Sequence, residues 1–342
     1  MVLMKYFIYL FGLLLLSYGG AFANEKHAST FETESERIEY LALNYPAKAI
    51  ELYKRNANKL LITDNAKTVF FYNHVLVAAS SVHDTALIEE LVGLLAHRRL
   101  DPFRKPYLFA IVNVLGVSYG TNLQYVEAIA AYKCALVLTD NKLEKMIAKV
   151  NLAIAYRMAE QPALSYQILQ SIDESILSER RLAGVLVVKG NTAMALHDVE
   201  AAIAHYIMAR KHYIKAKYRR NATRVTVNLL GAALADQQRT LFEKFRKTLD
   251  AKSESHLTDN ESAYLLWLDT LYGSVKYKKI SPEVERITLN LAPKLLAGGY
   301  ITPVKMILDR FDATHLISLE AQTKTNKARL KARLVDHWCG SP

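Results

Sequence analysis

The chain has 342 residues, of which 51% are hydrophobic and 23% charged, with only 13 glycines, 8 prolines and 2 cysteines. That length can bury a large core, and two cysteines exclude a disulfide-knit scaffold, so packing has to supply the stability. Of the formal +11, residues 1–200 contribute nothing (20 Lys/Arg against 20 Asp/Glu) and residues 201–342 all of it (24 against 13), which points the C-terminal part toward an acidic partner or an anionic surface.

At the N-terminus, a lone Lys5 precedes an apolar run from Tyr6 to Ser17 and then the small residues that end in Ala21-Phe22-Ala23. The run falls short of the ~20 residues that span a bilayer, and the A-x-A ending suits a peptidase rather than a membrane anchor. Residues 1–23 are therefore expected to be a cleaved signal peptide. The mature chain is expected to be soluble and periplasmic, with secretion as the alternative.

Helical periodicity then runs the length of the chain, and no segment of convincing length has the period of a strand. The expected helices pair as 33–43 with 46–58, 66–80 with 84–97, 104–119 with 124–138, and 142–158 with 160–172. They continue as 178–196 with 198–213, 216–236 with 239–251, and 259–273 with 281–298. A short 302–310 and a long 313–338 helix close the chain. Pro46, Pro162, Pro282 and Pro303 sit where a new helix starts, a position that tolerates the missing N–H.

One phrase occurs twice. "AIAAYKCA" (128–135) and "AIAHYIMA" (202–209) share five identities, and their starts lie 74 residues apart, two units of 37. In the first copy Ala128, Tyr132 and Ala135 line one helical face in the order small, large, small. Upstream, Val112, Leu115, Gly116 and Tyr119 line another. Gly116 costs about 1 kcal/mol in a helix interior, which a helix accepts where a neighbour crosses at close range. Pieces of the same pattern recur at Ala49 and Tyr53, at Leu152, Ala153 and Tyr156, at Gly190, Ala202, Tyr206 and Ala209, and at Leu230-Gly231.

On these residues the chain resembles the tetratricopeptide repeat family, whose 34-residue unit is a helix–turn–helix with W-x2-L-G-x2-Y, then A-x3-F, then P. Leu115-Gly116, Tyr119, Ala128 and Tyr132 fall on signature positions. Val112 replaces the Trp, Asp140 the Pro, and Lys189 stands on the Leu position of the second copy. The resemblance implies an all-α, TPR-like α-solenoid of about seven helical hairpins with a C-terminal capping helix, in an exported bacterial protein. It divides the chain into a signal peptide (1–23), a helical-repeat domain (24–311) and a basic C-terminal capping helix and tail (312–342).

No catalytic or metal motif is present, and neither a cofactor nor a metal is expected. Glu89-Glu90 and Asp173-Glu174 read as solvated surface, because adjacent residues on a helix do not face each other. His315, His337 and Cys339 read as a plain helix end. Cys134 reads as a small buried hydrophobe. A bridge to Cys339 requires Cα atoms within about 7 Å, hence a C-terminal helix that folds back, and an intermolecular bridge is a further alternative.

The concave face of such an array is its usual binding surface. Asn113, Asn151, Asn191 and Asn228, with Arg157, fall on the first helices that line it, and Asn side chains can hold the amides of an extended peptide. The resemblance implies this role most directly for Asn151 and Asn191. The lysines of a carboxylate clamp are not evident beside them, and the alternative is that these asparagines orient neighbouring repeats. Two basic surfaces accompany them: Lys215, Arg219 and Arg220, and then Lys327, Arg329, Lys331 and Arg333 on the closing helix. Like charges four residues apart there suggest that something acidic lies opposite.

The expected function is that of an exported, non-catalytic adaptor for a protein or peptide partner, an acidic one or an anionic envelope surface. The partner could be an envelope signalling or assembly component, and nucleic acid is not expected. A binding protein for a cell-wall or polysaccharide ligand is the alternative, and an enzyme with a dispersed site is a third.

Overall fold

A computed structural model describes residues 34–60, 65–275, 280–317, 329–331 and 333–339. The expected signal peptide, Lys327 and the middle of the expected closing helix (318–328), with Ala332, lie outside these residues. Among the described residues the regular structure is entirely helical, and no helix is long and apolar enough to cross a membrane. The chain forms two compact units. One comprises the described residues of 34–159 together with 329–331 and 333–339, and the other those of 160–317.

In the first unit, helix α1 (Glu34–Asn44) pairs with α2 (Pro46–Leu60), and α3 (Asn65–Val82) with α4 (Thr85–Leu95). A short α5 (Asp101–Arg104) and a 3-10 turn (Lys105–Tyr107) lead to α6 (Leu108–Thr121), which pairs with α7 (Tyr125–Val137), and α8 (Lys142–Met158) follows. A continuous helix from residue 104 was expected, but Pro106 offers no N–H and the chain tightens before α6.

The second unit holds α9 (Pro162–Gln170), then the pair α10 (Glu179–Ala195) and α11 (Val199–Lys215), and the pair α12 (Arg219–Ala235) and α13 (Arg239–Arg246). A short α14 (Ala251–Glu254), α15 (Asp259–Val275), α16 (Pro282–Ala297) and α17 (Ile301–Asp309) complete it. Its apolar core gathers Tyr206, Leu230, Phe242, Tyr264, Trp267 and Leu308, all buried. Pro46, Pro162 and Pro282 each occupy the first helical position, while Pro303 is the third residue of α17.

The 37-residue period reappears as hydrogen bonds between equivalent positions of successive hairpins. In the first unit Tyr53 donates to Glu90 (2.7 Å, 37 residues on), Ser118 to Ser80 (2.8 Å, 38 residues) and Asn151 to Asn113 (3.0 Å, 38 residues). In the second, Arg180 donates to Tyr218 (3.1 Å, 38 residues) and Arg224 to Glu261 (37 residues).

Within a hairpin, small residues set the approach. Ala128, Ala135, Ala202 and Ala209 are fully buried. A Cβ on Gly116 would lie 2.5 Å from the ring of Tyr132, and one on Gly190 2.5 Å from that of Tyr206, so each glycine admits the aromatic residue of the second helix. The turns between first and second helices place His83, Leu123, His197 and Gln237 in the left-handed region. Each turn closes with the next residue's N–H bonded back to a carbonyl five residues earlier, as in Gln124 to Tyr119 (2.9 Å) and Asp198 to Ala193 (2.9 Å). The following residue then opens the second helix, and Asp84 and Asp198 cap it with their carboxylates.

The long helix expected over 313–338 does not form in the described residues. Thr314–Leu316 is a 3-10 turn, residues 329–331 are non-helical, and Leu334–His337 is a second 3-10 turn, preceded by Arg333 at φ 67°. A helix would bond the amides of Leu330, Lys331 and Leu334 to carbonyls four residues back. Side chains of the first unit take those amides instead.

Candidate functional site

The residues expected to bind do not gather into one open site. Asn113 and Asn151 are buried at 1% and 0% exposure and bond to each other, so they orient neighbouring repeats instead of facing a ligand. This matches the alternative reading of these asparagines. Arg157 is half-buried, and its charge opposes the rise that burial imposes on the phenol pKa of Tyr125. In the other unit Asn191 accepts from Tyr206 (2.8 Å), and Asn228 is half-buried on α12. Lys215 is exposed and paired with Glu179, whose carboxyl is held below its ordinary pKa by His212 and then Lys215. Arg219 and Arg220 are exposed at the start of α12.

The structure instead builds a site from residues that were read as packing or as surface. The described C-terminal segment, Arg329 to Cys339 without Ala332, lies in a groove of the first unit formed by α4, α5, α6 and α7. Gln124, 3% exposed, reads one residue from both sides: Nε2 donates to the carbonyl of Leu330 (3.0 Å), and the N–H of Leu330 donates to Oε1 (2.9 Å). The hydroxyl of Tyr119 donates to the carbonyl of Lys331 (2.9 Å) and accepts the N–H of Leu334 (3.1 Å). Burial above all pushes this phenol up to about 12, with Glu127, Asp336 and Glu89 adding to the rise, so it stays protonated and able to donate. Glu89 accepts the N–H of Lys331 (2.7 Å). The apolar side chains of Leu330, Leu334 and Val335 are buried beneath.

The local fold explains the aim of these groups. Leu123 in the left-handed region ends α6 and turns Gln124 inward as the first residue beyond the turn. Glu89 sits on α4 and Glu127 in the first turn of α7, where a carboxylate also favours the helix dipole. These carboxylates answer the basic segment: Lys331 Nζ lies 3.3 Å from Glu89 and Arg329 3.9 Å from Glu127, while Arg333 pairs with Asp336 in its own turn (2.7 Å). The basic side chains are 72–78% exposed, so each pair is worth at most about 1 kcal/mol, and the main-chain bonds and buried leucines dominate.

At the far end the guanidinium of Arg104 lies over the ring of Trp338 (5.8 Å), and Cys339 is bonded to Cys134 on α7, with Cα atoms 5.9 Å apart. Cys134 is thus a bridge residue and not a free buried thiol. The fold-back that the bridge requires is made by an irregular segment, not by a helix. Glu89, expected as plain surface, is a main-chain acceptor. Tyr119 was visible only as a signature aromatic, and Gln124 only as part of the break "TNLQ". Among the described residues no cluster of His, Cys, Asp and Glu could hold a metal ion.

No protein-family profile matches the chain, and no curated protein matches it either. Among solved structures, the crystal structure of the apo form of RapI is similar, with a TM-score of 0.51 and 12% identity, over 86% of this chain and 100% of RapI. Together with the helical pairs and their 37-residue period, this fixes the architecture. The fold is a helical-repeat solenoid. At that identity the likeness carries the fold alone.

Proposed function

We propose that this chain is an exported, non-catalytic, TPR-like adaptor of the periplasm that binds a protein or peptide partner through a short segment of that partner's chain. One observation carries the reading: its first unit already holds a stretch of chain that forms no α-helix, through side-chain bonds to the stretch's main chain from Gln124, Tyr119 and Glu89. Main-chain recognition with apolar anchors is how a surface takes an extended peptide independently of most of its sequence. Export has two supports, the signal-like residues 1–23 and the Cys134–Cys339 bridge, which persists in an oxidising compartment.

In-cell cross-linking of the tagged full-length protein, followed by mass spectrometry, tests the adaptor reading. A specific envelope protein should be recovered, and the mature chain should begin at or near Asn24. Recovery of glycans alone would favour the cell-wall-ligand alternative, and an intact Met1 on a cytosolic protein would end the export reading.

A further inference from the structure

The groove described above treats residues 329–339 as a ligand. Gln124 and Tyr119 recognise main-chain amide and carbonyl groups, Tyr119 across a turn that brings the carbonyl of Lys331 and the amide of Leu334 together, and both are buried, so an emptied groove would strand their polar atoms. Exchange of one segment for another is therefore easier than simple release. The resident is also an imperfect fit. Arg333 is held at φ 67°, a conformation that disfavours residues with a Cβ, and the buried Nε1 of Trp338 has no hydrogen-bond partner. A segment free of both defects would be held better in the same place.

Resting on the adaptor reading, we infer that this groove is a binding site for a basic, turn-forming segment of a partner protein, with the described residues of 329–339 as its tethered occupant. The pattern it takes is a leucine, a basic residue directly after it, and Leu-Val four and five positions on. These are the places of Leu330, Lys331, Leu334 and Val335, of which the three apolar ones are buried and the lysine faces Glu89. Glu89 and Glu127 steer a basic segment toward the groove and repel an acidic one. The notion of an acidic partner for the C-terminal basic residues is thereby reversed at this site, since the carboxylates opposite Arg329 and Lys331 belong to the chain itself.

The Cys134–Cys339 bridge sets when exchange occurs. While it is closed, the tethered segment competes at an effective concentration on the order of mM, well above that of a dilute free peptide. A dithiol reductant opens it: one thiolate attacks a bridge sulfur and displaces the other cysteine as a thiolate. The reductant's second thiolate then attacks the mixed disulfide. The reductant leaves as its own disulfide, having supplied two electrons, and Cys134 and Cys339 end as thiols with two protons taken up. Both cysteines are only half-buried, within reach of such an attack.

The test uses the full chain and a fluorescent synthetic peptide with the sequence of residues 327–337. A Leu334→Asp/Cys339→Ser chain, whose own segment is weakened and unbridged, should bind the peptide on the order of 100-fold more tightly than the bridged native chain does. Adding Gln124→Ala to that variant should cost at least about tenfold, the loss of one doubly bonded anchor. A peptide with Arg333→Gly should bind about fivefold more tightly than its parent, because glycine accepts the left-handed conformation. Equal binding to native and variant chains, no binding to either, or indifference to Gln124→Ala overturns the inference.

If the double variant does not fold, the Cys339→Ser chain decides. Excess peptide must then speed hydrogen exchange at the tethered Leu330 and Leu334 amides, and unchanged exchange overturns the inference. An envelope protein captured equally by native and Gln124→Ala chains would leave the adaptor reading standing while the groove inference falls.

Discussion

Tyr132 shows how one side chain in this fold is both essential and costly. Its ring is fully buried against the bare face of Gly116, yet its hydroxyl has no hydrogen-bond partner, and burial holds the phenol pKa well above its ordinary value. Tyr132→Ala should therefore cost about 3–5 kcal/mol through the cavity it leaves, whereas Tyr132→Phe should be neutral or stabilise by about 1 kcal/mol, since it removes an unsatisfied hydroxyl. Gly116→Ala puts a methyl group into the ring and should cost about 1–2 kcal/mol even after the gain in helix propensity. In the Tyr132→Ala background the same methyl meets space, so the double variant should lose less than the sum of the two. Denaturant midpoints for the four chains check all of this, and strict additivity would mean that the two positions do not touch.

His74 on α3 gives a pH dependence of definite sign. Burial, above all, lowers its pKa, against smaller opposing effects from its bond to the Phe70 carbonyl (2.8 Å) and from the charge of Glu39. The unfolded imidazole takes up a proton near pH 6.5, while the folded one stays neutral to a lower pH. Stability is thus full above about 6.5 and declines as the pH falls through that value toward the depressed folded pKa. Between pH 7.5 and 5.5 the native chain should lose more stability than His74→Gln does in parallel denaturant titrations. Equal losses would mean that this ring is solvated.

At the scale of elements, the hairpins were legible because each carries its own instructions. The small–large–small faces at Ala128, Tyr132 and Ala135 and at Ala202, Tyr206 and Ala209 are local and need only the neighbouring helix to be satisfied. The turns were less legible, since the left-handed positions hold His83, Leu123, His197 and Gln237 rather than the glycines that usually announce them. That departure has a measurable consequence. At His197 an L-residue costs about 1–2 kcal/mol in the left-handed region, and glycine returns that at about 0.5–1 kcal/mol of chain entropy. His197→Gly should raise stability by about 0.5–1 kcal/mol, with the bonds His197 to Met194 (3.1 Å) and Asp198 to Ala193 (2.9 Å) intact. A lower denaturation midpoint would show that the imidazole contributes more than the backbone strain it imposes.

The C-terminal segment was misread as a helix for a physical reason. Its charges and leucines repeat at helical spacing, and periodicity alone cannot show that the partners of its amides lie at Glu89, Tyr119 and Gln124, more than 200 residues away in sequence. The same distance hid the bridge to Cys134. Asparagines on inner helices were visible as a set, but whether a polar side chain faces a ligand or a neighbouring repeat depends on packing. Asn113 and Asn151 chose the neighbour.

At the scale of the whole molecule, the charge asymmetry survives folding in altered form. Arg329, Lys331 and Arg333 are matched by Glu127, Glu89 and Asp336, and Lys215 by Glu179, so the local fields of these groups are partly cancelled. Arg219 and Arg220 stand exposed together at the start of α12, where the helix dipole adds to their positive field. A net positive charge acts at long range on encounter with any anionic surface, and this action is screened beyond about 8–10 Å at physiological ionic strength. Co-sedimentation with anionic phospholipid vesicles should therefore be measurable at about 20 mM salt, largely lost at about 300 mM, where the screening length is several-fold shorter, and absent with zwitterionic vesicles. Arg219→Glu/Arg220→Glu should weaken it at low salt by about 2 kcal/mol or more, at about 1 kcal/mol per basic residue near the surface. Arg329→Glu should loosen the C-terminal segment, because it sets a second carboxylate beside Glu127. Undiminished sedimentation of the Arg219→Glu/Arg220→Glu chain would mean that these two arginines form a merely solvated helix start, and that the positive excess is not focused there.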